Sequence, residues 1–180
     1  MISKSTLRTQ MRALRRQLAA ESPDAADRAA AHLPAFPDCE VYGLYHPVGS
    51  ELDPTPIRVA AAARALPVVV AREAALVFRR HEPGQPLVPD ALGILAPGVA
   101  ALEAWPDVVF TPVLAFDRRG GRLGQGGGHY DRTIAALRAR KSVLVIGVAY
   151  AGQEVAEIPL EPHDERLDAI LTETAYIPVR

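Results

Sequence analysis

The densest group of residues suited to chemistry lies at positions 122–132, where glycines stand between two arginines. Four of the five residues from 124 to 128 are glycine, so the backbone can approach a ligand closely and offer it several N–H groups. A helix that starts after this loop would add the positive end of its dipole. Arg122 and Arg132 are suited to forked hydrogen bonds with phosphate. The segment is therefore suited to binding an anion, although a glycine cluster taken alone is more often only a flexible connection.

Two common nucleotide-binding signatures do not match this loop. No lysine follows any of its glycines, which excludes a P-loop, and His129 stands where a dinucleotide-binding motif has its third glycine. We also predict that no strand leads directly into the loop. Two neighbours have simpler interpretations, Asp131 as an acid that stabilises a helix N-terminus and Tyr130 as a core residue. Taken alone, the spacing leaves phosphate binding as one of two interpretations.

The amino-terminal segment is basic and amphipathic. An apolar stripe at helical spacing predicts a helix and consists of Leu7, Met11, Leu14 and Leu18. A basic stripe beside it consists of Lys4, Arg8, Arg12 and Arg15. Lys4 and Arg8 are one helical turn apart, so both can reach one polyphosphate. A solvent-exposed helix face is one alternative, and an arginine-rich mitochondrial transit peptide is the other.

Composition narrows the class of protein. The 180 residues are 49% hydrophobic and 23% charged, with a net charge of −1 and one cysteine, Cys39, which we interpret as unreactive. This charge does not favour a general nucleic-acid binder, and one cysteine excludes both an internal disulfide and a zinc site of several cysteines. No apolar run approaches the roughly 20 residues of a membrane span. We expect a single cytoplasmic domain over residues 1–180, monomeric, with no nucleic-acid or membrane partner.

Strands and helices are predicted to alternate along the chain. After the first helix the predicted elements are a helix at 24–33 capped by Asp24, a strand at 40–45, a helix at 53–66, strands at 67–71 and 75–79, an irregular loop at 81–98, a strand at 107–111, a helix from the glycine-rich loop to about 140, a strand at 142–150 and a last strand at 167–171. The continuous apolar run at 142–150 is typical of a buried parallel strand. This order predicts a three-layer α/β/α sandwich with a mostly parallel sheet.

Four separated blocks of the chain resemble the 5-formyltetrahydrofolate cyclo-ligase family, also called 5,10-methenyltetrahydrofolate synthetases. They are Lys4 with Arg8, YHPVGSELDPTPI at 45–57, TPVLAFDRRGGRLGQGGGHYDR at 111–132, and residues 145–173. The resemblance implies a fold like that of the NagB/RpiA/CoA-transferase-like proteins. It also implies a ligase that uses ATP to convert 5-formyltetrahydrofolate into 5,10-methenyltetrahydrofolate, releasing ADP and phosphate. In this reaction the formyl oxygen is phosphorylated and N10 closes the ring.

The resemblance also implies roles for individual residues. The implied ATP-binding positions are Lys4, Arg8, Arg122, Gly124, Gln125, Gly126, Gly127, Gly128, His129 and Tyr130. The implied folate-binding positions are His46, Glu51 and Tyr130, the implied Mg²⁺ ligands are Asp131 and Asp164, and the implied catalytic group consists of Arg122, Tyr130 and Asp131. The match with Lys4 and Arg8 counts against a transit peptide, because cleavage would remove ATP ligands.

Several residues in these blocks keep structural alternatives. Glu51 can be an acid at the start of the helix predicted at 53–66, and His163 a hydrogen-bonding turn residue. Asp164 and Asp168 can cap a turn and a strand, which is the interpretation we prefer for Asp168. In addition, four positions differ from residues frequent in the family, namely His81 for Trp, Leu92 for an aromatic residue, Ala96 for Glu and Gly121 for Tyr.

Two functions of other classes stay open at this point. The changes at His81 and Leu92 are compatible with a non-catalytic sensor that binds nucleotide or folate without forming ADP. A sugar-phosphate isomerase or CoA-transferase relative would act without ATP, and the pair of Lys4 and Arg8 argues against it.

Overall fold

The computed structural model describes residues 3–36, 38–60 and 62–179 and is built around an eight-stranded sheet. The helices are α1 (Lys4–Glu21), α2 (Ala25–Ala31) and α3 (His129–Arg140). The strands of the large sheet are β1 (Val41–Gly43), β2 (Ala63–Val68), β3 (Val77–Arg80), β6 (Glu103–Ala104), β7 (Val108–Pro112), β10 (Leu144–Val148), β11 (Ala169–Leu171) and β12 (Tyr176–Pro178). Two small two-stranded sheets pair β4 (Leu87–Pro89) with β5 (Leu95–Pro97) and β8 (Ala115–Phe116) with β9 (Arg122–Leu123).

The large sheet is mostly parallel, as predicted. Its order is β12-β11-β10-β7-β1-β2-β3-β6, and the five central strands from β11 to β2 pair in parallel. The antiparallel strands β12, β3 and β6 lie at the two edges. From β1 the chain passes to β2 on one side, whereas β7 lies on the other side of β1. Ligands of such sheets bind at this kind of reversal, outside the carboxyl ends of the strands.

Helices cover both faces of the sheet. On one face Ala25 and Ala29 of α2 belong to a core cluster with Phe110 and Ile146 of neighbouring strands. On the other face Ile134 and Leu137 of α3 pack in a second cluster with strand residues that include Val109 and Val145. Because successive residues of a strand point to opposite faces, 109 and 110 separate into the two clusters. The prediction of a three-layer α/β/α sandwich is therefore confirmed.

Helix α1 lies beside this sandwich on a third cluster. Leu7 and Met11 are buried against Leu114, Leu123 and Ile158, as the apolar stripe predicts. The carboxyl half of α1 packs through Leu18 on the first face of the sheet. Within residues 3–36, 38–60 and 62–179, no helix combines the length and apolar character needed to cross a membrane.

The helix predicted at 53–66 is wrong. The described residues from 53 to 62 form turns and irregular backbone, and β2 begins at Ala63. Asp53 accepts a hydrogen bond from the Thr55 backbone N–H at 2.8 Å, which closes a local turn, and Pro56 disfavours helical backbone at Thr55. The last part of the predicted helix, residues 63–66, is instead in β2, where Ala65 is fully buried beside β1.

Four smaller predictions also need correction. The predicted strand 67–71 ends at Val68, and the predicted loop 81–98 contains the β4–β5 hairpin. The strand at 167–171 is confirmed as β11, but β12 follows it at the edge of the sheet. Asp24 stands at the N-cap of α2, yet its side chain makes no capping hydrogen bond.

The β8–β9 hairpin leads directly into the glycine-rich loop, contrary to the prediction that no strand does so. Asp117 holds the turn of this hairpin, because its Oδ1 accepts hydrogen bonds from the N–H groups of Arg119 and Gly121, both at 2.9 Å. Its Oδ2 accepts a third bond from the Ile158 N–H at 2.8 Å, and the residue is 2% exposed. Asp117 thus fixes the turn between β8 and β9, the hairpin that precedes the glycine-rich loop, to the chain at 158.

Replacing Asp117 with Ala is expected to lower the free energy of unfolding by about 2–4 kcal/mol, because three buried or half-buried N–H groups lose their acceptor. Urea unfolding followed by circular dichroism measures the change. The control is Asp27→Ala on the exposed side of α2, expected to change stability by about 0.5 kcal/mol or less. Equal effects of the two substitutions would contradict this role of Asp117.

Candidate active site

A cavity of about 430 Å³ opens at the carboxyl ends of β1, β2 and β7. Its walls come from α1, the segment after β1, the segment between β2 and β3, the β4–β5 hairpin, the glycine-rich loop with the start of α3, and the turn at 161–164. Nearly all the residues singled out from sequence line this one cavity. It lies at the reversal of strand order, which is the position expected for ligands of such a sheet.

The glycine-rich loop forms one wall and is held by α1. Gly126 has φ +103° and Gly128, the N-cap of α3, has φ +66°, conformations that other residues rarely adopt. Arg8 donates from Nε to the Gly124 carbonyl at 2.9 Å, which places its guanidinium against the loop. The N-terminus of α3 points its N–H groups and dipole toward this wall. The predicted phosphate-binding arrangement of loop, helix start and cation is therefore present.

Lys4 reaches the same end of the cavity from the first turn of α1. Its Nζ lies 2.6 Å from Asp164 Oδ2 and 3.1 Å from Glu161 Oε2, and its side chain is 18% exposed. Burial lowers the pKa of Lys4, but the hydrogen bonds with both carboxylates outweigh burial and raise it above its usual value. The same contact lowers the pKa of Asp164, against the opposing effect of burial. Lys4 is therefore a charged, half-buried group and not part of a solvent-exposed face.

Arg122 and Asp131 form a buried ion pair below the loop. Arg122 Nη2 donates to Asp131 Oδ1, and the same oxygen accepts the Glu165 N–H at 3.0 Å. Arg122 Nε donates to the Glu165 carbonyl at 3.1 Å. Burial lowers the pKa of Arg122, and the charge of Asp131 opposes that effect. The two side chains fix each other at the cavity wall, so Asp131 does more than stabilise the start of α3.

Arg132, the other arginine of the motif, is turned back on the loop. Its Nη2 donates to the Gly127 carbonyl at 2.7 Å. It is not among the residues that line the cavity. The prediction that Arg132 contributes a forked contact to phosphate is therefore not supported, and its observed role is to brace the loop.

The opposite end of the cavity is formed by the segment that follows β1. His46 and Glu51 both line it, as the resemblance implies. The Val48 N–H donates to Glu51 Oε2 at 2.9 Å, and Arg15 Nη1 lies 3.5 Å from Glu51 Oε1. Because no helix follows at 53–66, the interpretation of Glu51 as a helix-start acid is wrong. Burial raises the pKa of Glu51, with the Val48 N–H and Arg15 acting in the opposite sense.

Tyr130 links the two ends. It lies in the first turn of α3, lines the cavity and also packs against the core cluster on that face. Burial raises the pKa of its hydroxyl, and the nearby Glu51 carboxylate adds to the effect, so the phenol is neutral. The predicted core contact of Tyr130 is therefore confirmed, and the same side chain faces the cavity in which the predicted ligand would bind.

An apolar wall of the cavity was not found from sequence. It consists of Val69, Leu76, Leu92, Ile94 and Leu95, from the segment after β2 and from the β4–β5 hairpin. Asp90 fixes this wall, because it accepts hydrogen bonds from the N–H groups of Val69, Leu92 and Ile94. The sequence signals were the length of the irregular segment at 81–98, which is unusual without a function, and Leu92, which stands where the family often has an aromatic residue.

Three of the four departures from family residues lie away from the cavity. His81 is buried and bonded to Arg64, with 2.8 Å between its Nδ1 and Nη2 of the arginine. Ala96 is also buried, and a Cβ added at Gly121 would lie 2.5 Å from Asp117 Oδ2. Leu92 alone lines the cavity. These four changes therefore leave the cavity wall intact except at one apolar position.

One cluster in the described part of the chain has donors close enough for a metal ion. Glu161, His163 and Asp164 offer ligand atoms within 4.8 Å of one another. Carboxylates are the donors that Mg²⁺ uses, together with water and phosphate. The donor chemistry of Asp164 and Glu161 therefore fits Mg²⁺, and Lys4 is bonded to both. Asp131 is not a member of this cluster.

Gly126→Ala is expected to lower the free energy of unfolding by about 1–2 kcal/mol, because the positive φ opposes a Cβ. The added Cβ would also lie 3.3 Å from Arg8 Cζ. Gly124→Ala is the matched control, since Gly124 has an ordinary φ and its nearest neighbour, Arg122 Nη1, would be 3.9 Å away. Equal urea-unfolding curves for the two variants would contradict the loop geometry.

Comparisons with known proteins agree with this architecture. A family model for the 5-formyltetrahydrofolate cyclo-ligase family matches residues 1–173. The curated 5-formyltetrahydrofolate cyclo-ligase of Haemophilus influenzae is 40% identical over 100 residues, 53% of each chain. Its Mycolicibacterium smegmatis counterpart is 36% identical over 140 residues, 71% of each chain. The matched segment thus spans about half the length of the Haemophilus influenzae relative and 71% of the Mycolicibacterium smegmatis relative.

Solved structures extend the likeness to the whole chain. The solution structure of Aquifex aeolicus 5,10-methenyltetrahydrofolate synthetase superposes with a TM-score of 0.76 and 28% identity, covering 99% of this chain and 94% of that one. A 5,10-methenyltetrahydrofolate synthetase from Mycoplasma pneumoniae superposes with a TM-score of 0.74, covering 96% of this chain and 99% of its own, and at 21% identity supports the fold alone. Because the family model matches nearly the full length, the chain belongs to the 5-formyltetrahydrofolate cyclo-ligase family.

Proposed function

We propose that this chain converts 5-formyltetrahydrofolate into 5,10-methenyltetrahydrofolate at the expense of ATP, releasing ADP and phosphate. The observation that carries the proposal is a single cavity with two chemically different ends. One end has glycines and cations suited to a polyphosphate, and the other has an apolar wall and a carboxylate suited to a heterocycle with N–H groups. Membership of the family gives the reaction its identity.

The proposed reaction follows from the chemistry of the formyl group. An amide oxygen is a poor leaving group, so it must be activated before N10 can close the ring. The formyl oxygen attacks the γ-phosphorus and displaces ADP, and N10 then attacks the formyl carbon and expels phosphate together with the original oxygen. The protein has to hold the two ligands in line and neutralise the developing phosphate charge. A cavity shared by both ligands provides this arrangement.

Lys4, Arg8 and the glycine-rich loop are proposed to hold the triphosphate. Backbone N–H groups of residues 124–128 and the start of α3 would face the phosphate oxygens, with Gln125, His129 and Tyr130 beside them. Lys4 would exchange its contact with Asp164 for one with phosphate. Arg122 would act from beneath the loop, where Asp131 and the Glu165 carbonyl orient it.

Mg²⁺ is proposed as the metal, held by Asp164 and Asp131, and it would supply positive charge to the phosphates. Glu161 is a further carboxylate at the same turn. Lys4 and Asp164 neutralise each other in this structure, so a cation at Asp164 would free the ammonium group of Lys4 for phosphate. For Asp131, one oxygen is already bonded to Arg122 and to the Glu165 N–H.

Glu51, His46 and Tyr130 are proposed to bind the folate. The Glu51 carboxylate would accept hydrogen bonds from the pterin ring, and Tyr130 would lie against it. The apolar wall from Val69 to Leu95 would cover the flat rings of the substrate. We further propose a cytoplasmic monomer that acts on these two small molecules and not on nucleic acid, which the near-zero net charge does not favour.

An absorbance assay tests the function. Purified protein is mixed with 5-formyltetrahydrofolate, ATP and Mg²⁺, and the growth of the methenyl product is followed in the near ultraviolet. We expect product only when all three are present, and at most a trace with Asp131→Asn. Tight ATP binding without product or ADP would instead favour the sensor, and product without ATP would contradict the ligase.

Lys4→Ala and Arg8→Ala are each expected to raise the KM for ATP at least about tenfold, because each removes a charge-assisted hydrogen bond to phosphate. The KM for 5-formyltetrahydrofolate should change by less than about threefold. Arg16→Ala is the matched control, since Arg16 is exposed on the same helix and does not line the cavity. An unchanged KM for ATP in both variants would remove α1 from the nucleotide site.

A further inference from the structure

Helix α1 presents a third cation to the cavity, beyond the two assigned to ATP. Lys4, Arg8 and Arg15 all line the cavity. Arg15 follows Arg8 by seven residues, two helical turns, which places it about 10 Å farther along the helix. This step carries it from the phosphate end of the cavity to the end formed by the segment after β1. Neither the sequence motifs nor the proposed reaction gives Arg15 a role.

The contacts of Arg15 are directed at Glu51. Its Nη1 lies 3.5 Å from Glu51 Oε1, and its Nε donates to Ser50 Oγ at 3.2 Å. The other oxygen of Glu51 accepts the Val48 N–H at 2.9 Å. The carboxylate is thus held from one side by its own loop and from the other by α1.

Burial makes this pair unlike the surface ion pairs of the molecule. The side chains of Arg15 and Glu51 are 8% and 9% exposed, whereas those of Arg119 and Glu157 are 59% and 69% exposed. A charge this deeply buried is costly unless a partner and hydrogen bonds compensate it. The planar fork of arginine can bind Ser50 and Glu51 together, which a lysine ammonium on its flexible stem does less well. An arginine here therefore supplies orientation as well as charge, whereas a lysine would supply the charge alone.

We infer that Arg15 is a positioning residue, which holds the Glu51 carboxylate oriented and ionised at the folate end of the cavity. The identity of the ligand there rests on the proposed function, but the effect of Arg15 on Glu51 does not. Arg15 lies on the same helix as Lys4 and Arg8. Helix α1 would therefore position both the cations that bind ATP and, through Arg15, the carboxylate that binds folate.

The groups around Glu51 show why its charge needs support. Tyr45 and Tyr130 lie nearby, and both are neutral because burial raises the pKa of each hydroxyl. Asp53 is a second acid in the same segment, so Arg15 is the cation that faces Glu51 among these groups. Burial already raises the pKa of Glu51, in spite of Arg15 and the Val48 N–H. Removing the arginine would raise it further, toward the pH at which the protein works.

A protonated Glu51 would lose its ability to accept hydrogen bonds from N–H donors at both oxygens. Folate affinity should therefore fall as pH decreases through the raised pKa of Glu51. Without Arg15 this fall should begin at a higher pH, and the carboxyl group should also lose its fixed orientation. If Arg15 had a purely structural role, its removal would change neither the pKa of Glu51 nor the pH dependence of folate affinity.

The first test measures the charge of Glu51 without any substrate. Protein carrying ¹³C-labelled glutamate is titrated by NMR, and Glu51→Gln identifies the resonance. Arg15→Met should raise the pKa of Glu51 by at least about one unit, because a cation at this distance lowers the pKa of a carboxyl group by about 1–3 units. Arg15→Lys should restore most of the shift, and Arg16→Met, on the exposed side of α1, should have no effect.

The second test measures binding by calorimetry at a series of pH values, from neutral pH down through the titration of Glu51 that the first test finds. Arg15→Met should weaken 5-formyltetrahydrofolate binding at least about tenfold at neutral pH, and ATP binding by less than about threefold. An unchanged pKa of Glu51 in Arg15→Met would overturn the inference, as would equal losses for both ligands. Failure of the unmodified protein to bind folate would refute the proposed function, while the titration would still decide the role of Arg15.

Discussion

Docking of the amphipathic helix α1 is the interaction on which the cavity depends. Leu7 and Met11 are buried against the β8–β9 hairpin and Ile158, and Arg8 is hydrogen-bonded to the Gly124 carbonyl. The apolar side of the helix provides the free energy of docking, because burial of such side chains is worth about 1.5–3 kcal/mol each. The polar side then carries its cations into the cavity at fixed positions. Without this packing, Lys4 and Arg8 would not be held against the cavity.

Ion pairs of Lys4, Arg15 and Arg122 line the cavity, and those of Lys4 and Arg15 join α1 to segments that are distant in sequence. The pair of Lys4 and Asp164 connects α1 to the turn at 161–164, and the pair of Arg15 and Glu51 connects α1 to the segment after β1. The pair of Arg122 and Asp131 connects β9 to the start of α3, on the two sides of the glycine-rich loop. Within each pair the charges compensate each other, so the cavity is not strongly charged overall. A ligand that binds to one of these side chains must therefore replace the contact with its partner in the ion pair. In the proposed reaction, Lys4 would exchange its contact with Asp164 for one with phosphate. This exchange would couple the phosphate end of the cavity to the carboxylates proposed to hold Mg²⁺.

Much of the fold was predictable because its central strands are continuous apolar runs and α1 has a regular stripe. The glycine-rich loop, Lys4, Arg8 and Glu51 were also found from sequence, and one cavity brings them together. The helix expected at 53–66 is absent because Asp53 closes a local turn and because Ala65 pairs with β1. The partnership of Arg15 with Glu51 and the apolar hairpin wall depend on contacts between distant segments, which spacing alone does not reveal.

Transfer of isotopic oxygen tests most directly whether one cavity brings the formyl oxygen to the γ-phosphate. The protein is given 5-formyltetrahydrofolate labelled with ¹⁸O in the formyl group, together with ATP, and the released phosphate is analysed by mass spectrometry. We predict that the phosphate carries one ¹⁸O for each methenyl product formed. Unlabelled phosphate formed together with the methenyl product would contradict the account, because the formyl oxygen would then have left without contacting the nucleotide.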